Sequence, residues 1–238
     1  AGGLLRGEPD RQLKGHGPRV ALTWPCAAAM LGYAPGQHAA RGSDRPTAMK
    51  GKQVAEQSTL YRVDVELSDI DRGVYESLAL RVARHPSEDA PRMVTRVLAH
   101  ALLHEPEMGF GKGLSSSEEP ALLVKDATGN TTHWIDVGHP SGERLHRAAK
   151  ATDRVSVVCH KGPEALAREA RRKRIHRVED IQVILLPADL VEALAEATHR
   201  VSRWTLVRTD SDLQLTVDEQ PFQASVVYTT LQRIMEGR

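Results

Sequence analysis

The chain has 238 residues, 32 of them lysine or arginine and 31 aspartate or glutamate, which leaves a net charge of +1 at neutral pH. That balance excludes a globally basic nucleic-acid coat or an acidic tail, so a polyanionic partner has to be met by local clusters. Two cysteines, Cys26 and Cys159, exclude a disulfide scaffold and a paired-cysteine zinc site and suit a reducing cytoplasm, and no run of about 18 apolar residues is present to cross a membrane as a helix.

Residues 1–57 hold 9 of the 18 glycines and 5 of the 13 prolines, and no apolar period survives that punctuation. They are expected to be a disordered or non-native N-terminal extension. Within them Val20–Tyr33 follows Arg6, Arg11, Lys14 and Arg19 in the manner of a secretion signal, but Pro25 interrupts it and the basic region is too long.

From Ser58 the pattern changes, and residues 58–238 read as one domain. Thr59–Leu67 alternates, with Tyr61, Val63, Val65 and Leu67 on one face, which predicts a half-buried strand. Ser68–Gly73 is a turn signal, and Tyr75–Arg84 gives a second strand with Leu78, Leu80 and Val82 inward, so the pair reads as a hairpin. Pro91–His104 predicts a helix with Met93, Val97 and Ala101 beside Val94, Leu98 and Leu102, capped by Asp89. Its other face carries Arg92, Arg96, His100 and His104, read as a solvated basic stripe rather than a metal-binding histidine pair.

A second hairpin follows in Ala121–Asp126 and Thr131–Gly138 around the turn Ala127–Asn130. Gly142–Ala151 reads as a helix, Val155–Cys159 as a strand, Pro163–Ile175 as a helix and Ile181–Leu186 as a buried strand. That order predicts a parallel crossover. Asp189–Arg200 is a further helix. Val201–Arg208, Leu213–Val217 and Gln223–Tyr228 close the chain as a β-rich meander. The whole is expected to be one α/β domain around a single mixed sheet flanked by helices, with β-rich hairpin extensions.

Six short motifs occur in one order: Ser68-Asp69-Ile70-Asp71-Arg72, Ala83-Arg84-His85-Pro86-Ser87-Glu88, Lys112-Gly113-Leu114-Ser115, Glu118-Glu119-Pro120-Ala121-Leu122, Trp134-Ile135-Asp136-Val137-Gly138 and Leu185-Leu186-Pro187. From near Ser58 to at least Val217 the chain resembles the YaeQ family of bacterial proteins, whose usual start would fall near Val54. The resemblance implies a variant of the restriction-endonuclease-like PD-(D/E)XK fold. In such nucleases two acids on a hairpin hold Mg²⁺ and a lysine positions the attacking water at a phosphodiester.

Carried onto this sequence, the resemblance makes Asp136 a metal ligand, with a strand-end carboxylate paired to a basic residue as the alternative. The other acid of the pattern is replaced by Ala121, leaving Glu119 or Glu118 as substitutes, and the lysine position holds Gly138. Lys125, which matches a lysine of the family, is then the candidate catalytic cation. Glu88 is a further metal-side acid or a charge at a helix N-terminus. Arg84, Arg144 and Arg147 are candidate phosphate clamps. Arg168, Arg171, Arg172, Lys173, Arg174 and Arg177 form the one dense basic cluster, read either as phosphate-backbone contact or as a solvated helix end. Cys159 reads as an inert core thiol. Two functions follow: a Mg²⁺-dependent nuclease acting on DNA or RNA, or a non-catalytic nucleic-acid- or protein-binding module on a degenerate nuclease fold, in either case a monomer or weak dimer.

Overall fold

A computed structural model describes residues 58–111 and 118–237. The 1–57 extension and the Lys112-Gly113-Leu114-Ser115 motif lie outside the described residues.

The first hairpin is longer than its alternation suggested. β1 (Thr59–Asp69) and β2 (Val74–Arg84) pair antiparallel along their full length, from Thr59 opposite Arg84 to Asp69 opposite Val74. Val63, Val65 and Leu67 are buried as their parity requires, and the same parity carries Asp69 into the interior. α1 (Ala90–Leu102) begins at Asp89, whose carboxylate accepts from the Arg92 amide at 2.8 Å, with Pro91 in its first turn.

Short β3 (Met108–Phe110) and the hairpin β4 (Leu122–Lys125) and β5 (Thr131–Val137) come next. Then α2 (Gly142–Ala151), β6 (Arg154–Cys159), α3 (Pro163–Arg171) and β7 (Gln182–Leu185) form two successive crossovers, which lay β5, β6 and β7 parallel. α4 (Ala188–Ala197) leads to β8 (Val201–Thr209), β9 (Asp212–Val217), β10 (Gln220–Ser225), β11 (Val227–Thr230) and a final α5 (Leu231–Glu236).

The strands form two mixed sheets, which corrects the expected single sheet. One runs β10-β9-β8-β1-β2 and the other β11-β7-β6-β5-β4-β3. The difference turns on two pairings. β8 lies parallel to β1, with Arg62 opposite Val201 and Asp69 opposite Arg208, so the C-terminal meander joins the first hairpin. The segment read as one strand, Gln223–Tyr228, is split at buried Val226: β10 stays with β9, whereas β11 leaves to pair with β7.

α1 packs against β1 and β2 of one sheet, β5 and β6 of the other, and α4. Every residue from Met93 to Leu102 is therefore buried. This overturns the solvated basic stripe: Arg96 and His100 are 3% and 5% exposed, because the helix is covered on both sides and not on one. Arg96 is admitted as an ion pair and His100 as a neutral ring. His100 stacks between His104 and Phe110, with ring centroids 5.6 and 5.2 Å away. Burial first, and then the neighbouring His104, push its pKa down from 6.5 to about 4.

The unfolded chain protonates His100 near pH 6.5, whereas the folded chain resists until about pH 4. Stability from this residue is thus complete above pH 6.5 and is lost as pH falls from 6.5 towards 4. Urea unfolding at neutral pH and at pH 4.5 measures it: His100→Leu should reduce the loss between the two, and an unchanged loss would place the acid sensitivity elsewhere.

Candidate functional site

Asp136 sits at the carboxyl end of β5, where hairpin β4–β5, the N-terminus of α1 and the first turn of α2 meet. Ser141 caps α2, and its side chain accepts from the Arg144 amide, so Arg144 is aimed back across the end of β5. The Arg144 guanidinium grips Asp136 at both oxygens, Nε to Oδ2 at 2.7 Å and Nη2 to Oδ1 at 2.8 Å. The indole of Trp134, two residues earlier on the same strand face, donates to Oδ2 at 2.9 Å, and its ring lies 5.3 Å from the Arg144 guanidinium carbon. Asp136 is 4% exposed. A bidentate clamp, an indole donor and a stacked cation make this a fully engaged carboxylate. The pairing also raises the Arg144 pKa, through the Asp136 hydrogen bonds foremost.

Arg144 reaches further, its Nη2 donating to the Glu119 carbonyl at 2.6 Å, and Arg147 pairs with Glu118 at 2.9 Å. The segment before β4 is thus held next to Asp136 by α2. On the other side, Arg92 of α1 donates to the Val137 carbonyl, and its Nε lies 3.7 Å from Glu88. Glu88 is 4% exposed and accepts from Arg96 at 2.9 and 2.7 Å. Arg84 is spent on the Glu88 carbonyl at 2.8 Å and the Tyr61 hydroxyl at 3.3 Å.

Six of the seven predicted residues therefore converge: Asp136, Glu119, Arg144 and Arg147 on one side of Arg92, and Glu88 and Arg84 on the other. Lys125 does not join them. It is exposed at the turn end of β4, opposite Thr131, with about 13 Å of strand between it and Ala121.

Sequence reasoning missed Arg92, and a local signal for it exists. Gly138 adopts φ +88°, and a Cβ there would lie 3.0 Å from Arg92 Nη1. The guanidinium occupies the space beside the position where the nuclease pattern carries lysine. Asp69 is a second omission: the Ser68–Gly73 turn signal masks it, although its parity with Val63, Val65 and Leu67 points inward.

The donor set does not suit Mg²⁺ as it stands. Both Asp136 oxygens are taken by Arg144 and Trp134, both Glu88 oxygens by Arg96, and Ala121 offers a methyl group. A hard divalent cation needs carboxylate oxygens with lone pairs free and few cations at hand. Among the described residues no group of three or more His, Cys, Asp and Glu side chains is arranged to hold a metal. Cys159, 1% exposed at the end of β6, donates to the Lys161 carbonyl at 2.7 Å, and burial raises its pKa, so the thiol is held protonated.

A basic surface begins at the same helix. On α2, His146, Arg147 and Lys150 border a hollow of about 420 Å³ that they share with Glu143 and Lys173. His146 and Lys173 also belong to an adjoining groove of about 570 Å³, lined by Arg174, His176, Arg177 and Glu179 after α3. Arg177 fixes this loop by donating to the Ala149 and Thr152 carbonyls at 2.9 and 2.6 Å.

A family model described as YaeQ protein matches residues 54–226. The uncharacterized protein YaeQ of Salmonella typhi is 31% identical over 107 residues, 45% of this chain and 59% of that protein. Its counterpart in Escherichia coli (strain K12) is 29% identical over the same shares. The matched region thus spans less than two thirds of these curated relatives. The crystal structure of YaeQ protein from Pseudomonas syringae superposes with a TM-score of 0.66 at 32% identity, over 72% of this chain and 95% of that one. The structure from Xanthomonas axonopodis pv. citri gives 0.67 at 31%, over 72% and 97%.

Proposed function

The chain belongs to the YaeQ family, and from that premise we propose that it is a nucleic-acid-binding module on a nuclease-like scaffold whose hydrolytic centre has been converted into an arginine–carboxylate network. The observation that carries this reading is the pairing of Arg144 with Asp136 at the head of a basic surface. A restriction-endonuclease-like ancestry is supported by the order of helix, hairpin, helix and strand, and by an acid at the end of β5. Hydrolysis would need a second acid where Ala121 stands, a lysine where Gly138 stands, and an Asp136 released from its clamp.

Binding needs only cations in a row. Along the surface, Arg147, Lys150, Lys173, Arg174 and Arg177 face Glu143 and Glu179, an excess of positive charge over a length that phosphates can follow. Lys150, Lys173 and Arg174 have no acidic partner among the described residues, so their charge is available to a ligand.

Fluorescence anisotropy with labelled duplex DNA and single-stranded RNA tests the reading. Binding at low salt is expected to weaken steeply as salt rises. The triple change Lys150→Glu, Lys173→Glu and Arg174→Glu should flatten the salt slope by about two to three, one phosphate contact each. Incubation with Mg²⁺ or Mn²⁺ should leave both substrates intact. Metal-dependent cleavage abolished by Asp136→Ala would return the nuclease reading, and no binding to either polymer at low salt would end the nucleic-acid one.

A further inference from the structure

The basic surface along α2 is made of two hollows that meet, and its lining is not uniform. Gly142, at the start of α2, lies against the end of α3: a Cβ there would stand 2.8 Å from the Glu169 carbonyl oxygen and 3.1 Å from the Lys173 Cβ. That close approach brings Lys173 beside α2, so Lys173 and His146 border both hollows. The loop after α3 then turns sharply at Arg177, whose φ of +48° is one that residues with a side chain seldom adopt. Its guanidinium holds the turn on the Ala149 and Thr152 carbonyls. α5 supplies Met235 to the same groove and is tied to α3 by Arg171, whose Nε donates to the Met235 carbonyl at 3.2 Å.

The groove is charged where it is exposed and apolar where it is not. Lys150, Lys173 and Arg174 are exposed, whereas Val178 and Met235 are half-buried and backed by buried Ile175. Half-buried His146 accepts from the His176 amide at 3.2 Å through Nδ1, which fixes its ring and puts the ring N–H on Nε2. A duplex offers its phosphates outward and keeps its base faces stacked, so it would meet the cations and leave Val178 and Met235 untouched. An unpaired nucleotide carries both parts that the lining matches, a phosphate and a flat base face. The groove of about 570 Å³ has the size of a ligand pocket, large enough to take such a base.

We propose that this surface selects single-stranded over duplex nucleic acid, the backbone following Lys150, Lys173 and Arg174 and one base turning into the groove against Val178 and Met235 beside the His146 ring. This selectivity rests on the nucleic-acid-binding reading above and adds to it the unpaired base as the recognised group. Charge alone has the opposite preference, because a duplex carries the denser row of phosphates.

Fluorescence anisotropy of the full chain at one low salt concentration tests it. The probes are labelled oligodeoxythymidine and oligouridine of about 12 nucleotides, a duplex of that length and an abasic strand of that length. The better of the two single strands is expected to bind about tenfold more tightly than the duplex and the abasic strand, and it identifies the preferred sugar. The double change Val178→Ser and Met235→Ser should weaken that strand about five- to tenfold while duplex affinity and the salt slope stay as they were. A duplex bound as tightly as the single strands, or an abasic strand held as tightly as one with bases, would overturn the selectivity and leave the nucleic-acid reading standing. So would a single-strand affinity unmoved by the double change. No binding to any of the four probes would end both.

Discussion

Replacing Glu88 with alanine lowers the unfolding free energy by about 3–5 kcal/mol, the usual result of removing one partner from a buried ion pair. Glu88 and Arg96 are 4% and 3% exposed and share two hydrogen bonds. Arg96 also donates to the Ala83 carbonyl at 2.7 Å and lies 5.7 Å from the Phe110 ring, so it cannot swing out to water without releasing β2. Arg92 stands 3.7 Å from the same carboxylate. Without Glu88 the buried Arg96 guanidinium would be left without its carboxylate, beside the partly exposed Arg92. Burial already depresses the Arg92 pKa, Glu88 is the first charge that opposes this, and Arg96 works against it. Glu88→Gln keeps the hydrogen-bonding shape and should cost less than the alanine variant. Denaturant unfolding of the two variants beside the parent checks the order; equal, small losses below about 1 kcal/mol would mean that the pair relaxes to solvent.

The same residue shows what a sequence can and cannot disclose. Glu88 was legible as functional or structural from its place ahead of a helix, and Asp89 as the cap. The partner was not, because the spacing of Arg92, Arg96, His100 and His104 places Arg96 on the face opposite the apolar stripe. Local periodicity reports one buried face and is silent when a second sheet covers the other.

The hairpins, the crossover through α3 and the inward residues of β1 follow from patterns a few residues long, whereas the parallel pairing of β5 with β6 through α2 does not. The two-sheet arrangement follows from contacts such as Asp69 with Arg208, 139 positions apart, which no window of sequence contains. Asp136, Glu119, Glu88 and Arg84 came from family motifs and Arg144 and Arg147 from their place on the helix after β5, and Lys125 shows the limit of carrying a family position over. A residue that matches a motif lies at the far end of its strand, while Arg92, outside the motif, fills the space beside Gly138.

Asp136→Ala is expected to destabilise the protein by about 2–4 kcal/mol, less than Glu88→Ala because the Arg144 side chain is 21% exposed and can turn partly to water. The loss has two sources: the Trp134 indole N–H and the Arg144 fork both lose their acceptor. Arg144→Ala should cost a similar amount. The double variant should cost clearly less than the sum, leaving a coupling energy of about 1.5–3 kcal/mol, since the two residues are in direct contact. A metal centre predicts the opposite sign. Carboxylates assembled to hold a cation repel one another without it, so Asp136→Ala would leave the metal-free protein as stable as before or more so. Mg²⁺ would then raise the Tm of the parent alone, by mass action on the folded state. Thermal unfolding of the parent, both single variants and the double variant, each with and without Mg²⁺, therefore separates the two roles of Asp136 by the direction of the change. A destabilised Asp136→Ala with no Mg²⁺ shift in the parent establishes the ion pair as the work of this carboxylate, and leaves phosphate contact to the cations further along α2 and after α3, Lys150, Lys173 and Arg174.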